Sequence, residues 1–152
     1  MRKHLIAIST LLILAGCQTV SGPYGAFEFP ERRTLASDQY AVTKSTEISV
    51  VYISAWNCPP CWRYKEQAHP IWLKSKEYNY VQFRELEFPS YQYTGDDKYW
   101  PAALRWIRTK TYSMRGAPRW IVLADRKIIS NQKSWTQTYR LIQHVVARKL
   151  ET

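Results

Sequence analysis

The chain is short of glycine, cysteine and methionine: its 152 residues include five Gly, three Cys and two Met. Few glycines and no visible repeat exclude a collagen-like rod and a low-complexity polymer. Three cysteines are too few for a scaffold built on disulfides, so the fold must rest on its apolar core. No apolar run approaches the roughly 20 residues that a membrane-spanning helix needs. Acidic side chains are also scarce, 12 against 22 Lys and Arg, which leaves a formal charge of +10. What is abundant is apolar and aromatic: 45% hydrophobic residues, with seven Trp and eleven Tyr. With charged residues at 22%, this is the composition of a globular domain rather than a disordered chain. The length suits one such domain and not two.

The N-terminal segment has the pattern of an export signal. Arg2 and Lys3 precede an apolar stretch from Leu5 to Leu14, and Ala15-Gly16-Cys17-Gln18 follows. A positive start, a short apolar middle and small residues at the end define a signal peptide. Leu14-Ala15-Gly16-Cys17 resembles the lipobox of bacterial lipoproteins. That resemblance implies removal of residues 1–16 and a lipid on Cys17, with several acyl chains making a firm membrane anchor. An ordinary secretory signal with a chance cysteine is the competing reading. Gln18, rather than Asp, resembles lipoproteins sorted to the outer membrane of Gram-negative bacteria. The expected location is therefore the cell envelope, lipid-anchored and facing the periplasm. An exported chain meets no chromosome, so no nucleic-acid partner is expected. The basic excess is read as scattered solvated Lys and Arg, with anionic lipid headgroups or an acidic partner as the alternative.

Lipid on Cys17 would leave two thiols, Cys58 and Cys61, in an oxidising compartment. Residues 17–45 read as a tether and N-terminal extension, with a short strand expected at 26–29 and a short helix within 35–45. The domain proper is expected over 46–152. Ile48–Ile53 is β-branched and apolar, as in a buried central strand. Asn57-Cys58-Pro59-Pro60 opens a helix, since proline is tolerated in a first turn, and this helix should bend or stop at His69-Pro70. A second strand fits Tyr80–Leu86. Phe88–Trp100 reads as a long irregular loop that either self-packs or binds a partner. Pro101 starts a helix with Ala103, Leu104, Trp106 and Ile107 on its apolar side. Arg119–Ala124 is a strand, Asp125-Arg126 a turn and Lys127–Ser130 a further strand. Leu141, Ile142, Val145, Val146 and Lys149 recur with helical spacing. The order is β-α-β-α-β-β-α, an α/β fold with a central mixed sheet flanked by helices.

Cys58-Pro59-Pro60-Cys61 carries the chemistry. Two thiols three residues apart on one helical turn supply a nucleophile and a resolving thiol. The first meets the free N–H groups and partial positive charge of the helix start, which favour thiolate. Cys58 is accordingly expected to be the more exposed and more acidic of the two. Other readings stay open: a Cu(I) carrier, to which Met114 could add a thioether, and a structural disulfide. Zinc fits poorly because no second cysteine pair exists and His69 and His144 are far apart in sequence.

A second motif, Met114-Arg115-Gly116-Ala117-Pro118, stands immediately before a strand. With the strand, C-x-x-C and helix upstream, it makes residues from about 47 to 150 resemble a thioredoxin-fold protein, of the exported, lipoprotein type. The resemblance implies a thiol–disulfide oxidoreductase that reduces or exchanges protein disulfides through Cys58 and Cys61. It makes Pro118 a cis-proline facing the dithiol, with the Ala117 backbone offered to a substrate peptide. Trp56, Pro59 and Pro60 complete the implied groove. The implied partners are protein dithiols or disulfides, the membrane through Cys17, and a membrane electron donor; no cofactor and no metal are implied. Two departures stand out. Tyr52 occupies the place of a buried acid that many members carry, and Asn57 separates Trp56 from the first cysteine. A non-catalytic scaffold lipoprotein with the same fold is the alternative from another class.

Overall fold

The computed structural model describes residues 40–152. Residues 1–16, Cys17 and the expected strand at 26–29 lie outside the described residues. β1 (Ile48–Ala55) runs parallel to β2 (Val81–Phe88) and antiparallel to β3 (Arg119–Ala124), and β3 pairs antiparallel with β4 (Lys127–Gln132). The sheet order is β2-β1-β3-β4, so β1 is central. Its near-continuous burial follows, because both faces of a central strand are covered.

The faces separate by strand alternation. Ile48, Val50 and Tyr52 of β1 join Trp120 and Val122 of β3 on one side, where Tyr64, Trp72 and the C-terminal helix cover them. Val51, Ile53 and Ala55 join Ile121 and Leu123 on the other, with Cys58, Cys61, Phe88, Trp100 and Ile107. The first face is dominated by rings: Trp120 lies 5.0 Å from both Tyr52 and Tyr64, and Trp72 lies 5.5 Å from Trp135, centroid to centroid. Such pairs add roughly 0.5–1.5 kcal/mol each beyond simple burial. The fold is thus α/β and thioredoxin-like, a mixed sheet between two helical layers.

The helix after the dithiol does not stop at His69-Pro70. α1 (Pro59–Arg63) passes through a π-helical turn at Tyr64–Ala68 into α2 (His69–Leu73). Proline lacks an N–H, and its ring would collide with the carbonyl four residues earlier. The wider turn resolves this: the His69 N–H donates to the Tyr64 carbonyl, five residues back. A 3₁₀ turn at Lys76–Tyr80 then leads into β2, so Tyr80 lies outside that strand.

Phe88–Trp100 is not irregular. It contains 3₁₀ turns at Tyr91–Gly95 and Asp97–Tyr99, and a third, Ala102–Leu104, leads into α3 (Arg105–Lys110). Trp100 is buried against Phe88, and its Nε1 donates to the Thr94 carbonyl at 2.9 Å. Ala103 is exposed, contrary to its expected place on the apolar side; Ile107 is the residue of that stretch that the core buries. The cause is the 3₁₀ start, whose three-residue turn rotates the early positions away from α-helical spacing.

The turn between β3 and β4 is Asp125-Arg126, with φ of 47° and 63°. A two-residue hairpin of this kind needs positive φ at both positions. The non-glycine pair is held by Glu47, whose N–H donates to Asp125 Oδ1 at 2.8 Å and whose carbonyl accepts from the Asp125 N–H at 2.9 Å. α4 (Trp135–Glu151) buries Leu141, Ile142, Val145 and Val146, as its spacing indicates. Of the stretch 35–45 where a short helix is expected, residues 35–39 lie outside the described residues, and 40–45 form a bend and a turn. Val42 nonetheless packs into the core, and Lys149 Nζ donates to the carbonyls of Lys44 and Thr46. Among the described residues, no helix is long and apolar enough to cross a membrane.

Candidate functional site

Cys58 and Cys61 are joined in a disulfide with their Cα atoms 5.2 Å apart. The pair sits where β1 ends and α1 begins. Cys58 is the N-cap, in extended backbone, and Pro59-Pro60 fill the first helical positions, where no N–H partner is needed. The Cys58 sulfur accepts from the Cys61 N–H at 3.3 Å, and the Cys58 carbonyl accepts from the N–H groups of Cys61 and Trp62. The helix start therefore presents one N–H, that of Cys61, to the first sulfur, since Pro59 and Pro60 have none to offer. Both cysteines are buried in this oxidised form, at 3% and 0% exposure, so the expected contrast in exposure between them is slight.

Around this buried pair the chain exposes rings. Trp56 is 62% and Trp62 51% exposed, and Pro59 and Pro60 are also at the surface. Ala117 packs against the same apolar cluster as the two cysteines. The Ala117–Pro118 peptide bond is cis, and Gly116 before it has φ of 93°, a left-handed conformation that favours glycine. The motif is tied down from the insertion: the Gly116 N–H donates to Thr94 Oγ1 at 2.8 Å. Met114 lines a separate pocket beside Arg108, Arg115 and Arg119. Among the described residues, no group of three or more His, Cys, Asp or Glu could hold a metal.

Beneath the dithiol, Tyr52 is fully buried, and its hydroxyl donates to the Cys61 carbonyl at 3.4 Å. Burial first, then the charges of Glu85 and Glu87, push the Tyr52 phenol far above its ordinary range. It stays a neutral hydroxyl. The acids lie on β2 instead: Glu85, opposite Tyr52 in the parallel register, accepts from Ser54 Oγ at 2.6 Å and pairs with Lys65 Nζ at 2.7 Å. Lys65 also bonds Glu87. Burial pulls Lys65 down, but its bonds to Glu85 and Glu87 outweigh this and hold it above its usual range. Glu87 is held low by Lys65, with a smaller contribution from the Trp56 side chain.

Sequence reasoning missed three of these elements. The Ser54–Glu85–Lys65 group joins β1, β2 and the π turn, which no local pattern links. Asn57 looked like a mere departure, yet its Oδ1 accepts from the Tyr91 N–H and its Nδ2 donates to Ser90 Oγ, both at 3.0 Å. Arg119 begins a strand and is fully buried; the motif just before it was the signal available.

The topology and the C-x-x-C turn together define a thioredoxin-like α/β domain with a dithiol–disulfide pair at a helix start. No family model and no curated protein matches the chain. Solved structures similar to it include the short form of thioredoxin f from spinach chloroplast, at 13% identity and a TM-score of 0.46, covering 68% of this chain and 80% of that one. Trxlp from Edwardsiella tarda EIB202 is 15% identical with a TM-score of 0.43, covering 67% and 84%. Fasciola hepatica thioredoxin is 17% identical with a TM-score of 0.42, covering 64% and 80%. These are similarities of chain trace; the class of fold follows from the sheet order and connections of the chain itself.

Proposed function

We propose that this protein is a lipid-anchored thiol–disulfide oxidoreductase of the cell envelope, facing the periplasm. The single observation that carries the redox reading is the Cys58–Cys61 disulfide at the start of α1, the first sulfur accepting from a helix N–H. In the reduced protein, Cys58 thiolate attacks a substrate disulfide, forming a mixed disulfide and releasing one substrate thiol. Cys61 thiolate then attacks the Cys58 sulfur, releasing the second substrate thiol and closing the Cys58–Cys61 disulfide. Two electrons pass to the substrate, and a dithiol donor returns them by the reverse exchange. Trp56, Pro59, Pro60, Ala117 and Pro118 form the groove that takes the substrate peptide. The exposed rings and prolines around a buried disulfide support that role. The anchor rests on sequence alone, on Arg2, Lys3, the apolar run and Leu14-Ala15-Gly16-Cys17.

Alkylation of the reduced protein near neutral pH tests the reading. A thiol at a helix start in such a motif titrates near 7 or below, against about 8.5 for a free one. Cys58 should be modified first, Cys61→Ala should trap long-lived mixed disulfides, and Cys58→Ala should be almost inert. Equal slow alkylation of both thiols, with no catalysed exchange of a model disulfide, would overturn the enzyme and leave a scaffold.

A further inference from the structure

On the same sheet face as the dithiol, but in a pocket of its own, three arginines converge. The pocket has a volume of about 170 Å³, and its lining includes Thr94, Gly95, Arg108, Thr111, Arg115 and Arg119. Arg108 is spoken for: it donates to the Gly95 carbonyl and pairs with Asp97 at 3.1 Å. Arg119 is not. It is 1% exposed; among the described residues its Nε has no hydrogen-bond partner, and the bond its guanidinium makes is a long one, 3.4 Å from Nη1 to the Thr111 carbonyl. A guanidinium carries five N–H donors, and burying its charge without a counterion is costly. Burial alone lowers the Arg119 pKa to about 10, with no carboxylate contributing in the other direction. Arg115 lies across Gly95, where an added Cβ would stand 3.1 Å from Arg115 Cδ. The lining thus brings two guanidiniums that no carboxylate among the described residues neutralises against a glycine that leaves room for one of them.

We infer that this pocket binds a small oxyanion, a carboxylate or phosphate group, between Arg115 and Arg119. The planar fork of a guanidinium matches the paired oxygens of either group, and an anion would supply the counter-charge that buried Arg119 lacks. The volume is below the roughly 300 Å³ of sites that enclose whole drug-sized molecules, so the pocket takes an anionic head group. The site is distinct from the dithiol, and binding to it does not depend on redox turnover. It borders the Met114–Pro118 segment through Arg115 and through Thr94, which holds Gly116.

Calorimetric titration of the purified protein with inorganic phosphate and with acetate, at constant ionic strength set by chloride, tests this. Saturable binding of one molecule per chain is expected, and the tighter of the two identifies the head group. Arg115→Gln, at an exposed position, should weaken binding about tenfold, the loss expected for one charge-assisted contact. Gly95→Ala should weaken it as well, by displacing the Arg115 stem. Arg119→Met should abolish it, with circular dichroism showing whether the variant folds; Arg115→Gln keeps the test decisive if it does not. Binding no better than chloride, or equal binding by wild type and Arg115→Gln, would overturn the site and leave Arg119 as a cap on α3.

Discussion

The Tyr52 hydroxyl donates to the Cys61 carbonyl, 3.4 Å away, and so links the aromatic core on one sheet face to the dithiol turn. Its phenol is held far above neutral pH by burial, so it cannot accept a proton from Cys61 during exchange. Tyr52→Phe should therefore leave the pH dependence of disulfide exchange unchanged. It should cost about 1 kcal/mol of stability, the ordinary worth of one hydrogen bond, as read by urea unfolding. A shifted pH profile would show that the hydroxyl does take part.

The insertion is held to the site by Asn57 and Thr94. Thr94 Oγ1 donates to the Tyr91 carbonyl at 2.8 Å and accepts from Gly116. Thr94→Val keeps the shape, removes both bonds and leaves the part-buried Gly116 N–H without this acceptor, at a cost of about 1–3 kcal/mol. Asn57→Ala should leave global stability nearly intact but speed amide hydrogen exchange at Tyr91, whose N–H loses its acceptor. Protection at Tyr91 equal to wild type would refute that link.

His69 gives the fold an acid-sensitive point. Its ring packs against Tyr64 and Phe83, its Nε2 is buried without a partner among the described residues, and burial lowers its pKa below the ordinary 6.5. Nearby Glu85 favours the charged form and Lys65 opposes it, both more weakly than burial. A depressed folded-state pKa means that the unfolded chain binds the proton first. The stability is fully present above pH 6.5 and falls as the pH drops through the folded value. His69→Phe should flatten this part of the stability profile, measured by urea midpoint between about pH 7 and pH 5. An unchanged slope would mean that other groups produce it.

Cys17→Ser should abolish fatty-acid labelling and detergent-phase partitioning of the protein expressed with its N-terminal segment. Labelling that persists in the variant, or a wild type that is unlabelled and water-soluble, would remove the anchor from the proposal.

Much of the fold was written locally. β3 matches its expected bounds because Arg119–Ala124 is a continuous strand-forming run, and α4 follows from apolar residues at helical spacing. Cys58 and Cys61 were legible as a pair because three residues of separation at a helix start is itself geometry. What tertiary structure decided lies between segments distant in sequence. Pro70 signalled a bend or a stop; that the helix continues, through a π turn at Tyr64–Ala68, goes with the packing of Tyr64 and Trp72 against the sheet. Phe88–Trp100 lacks periodicity because its 3₁₀ turns are held by single bonds, from Trp100 to Thr94 and from Asn57 to Tyr91. The acids near the dithiol are on β2, found only once parallel pairing sets Glu85 beside Tyr52. Arg119 reads as one cation among many in the sequence. Its side chain becomes a buried charge because strand alternation turns it to the same face as Ile121 and Leu123, where no carboxylate contributes to its pKa.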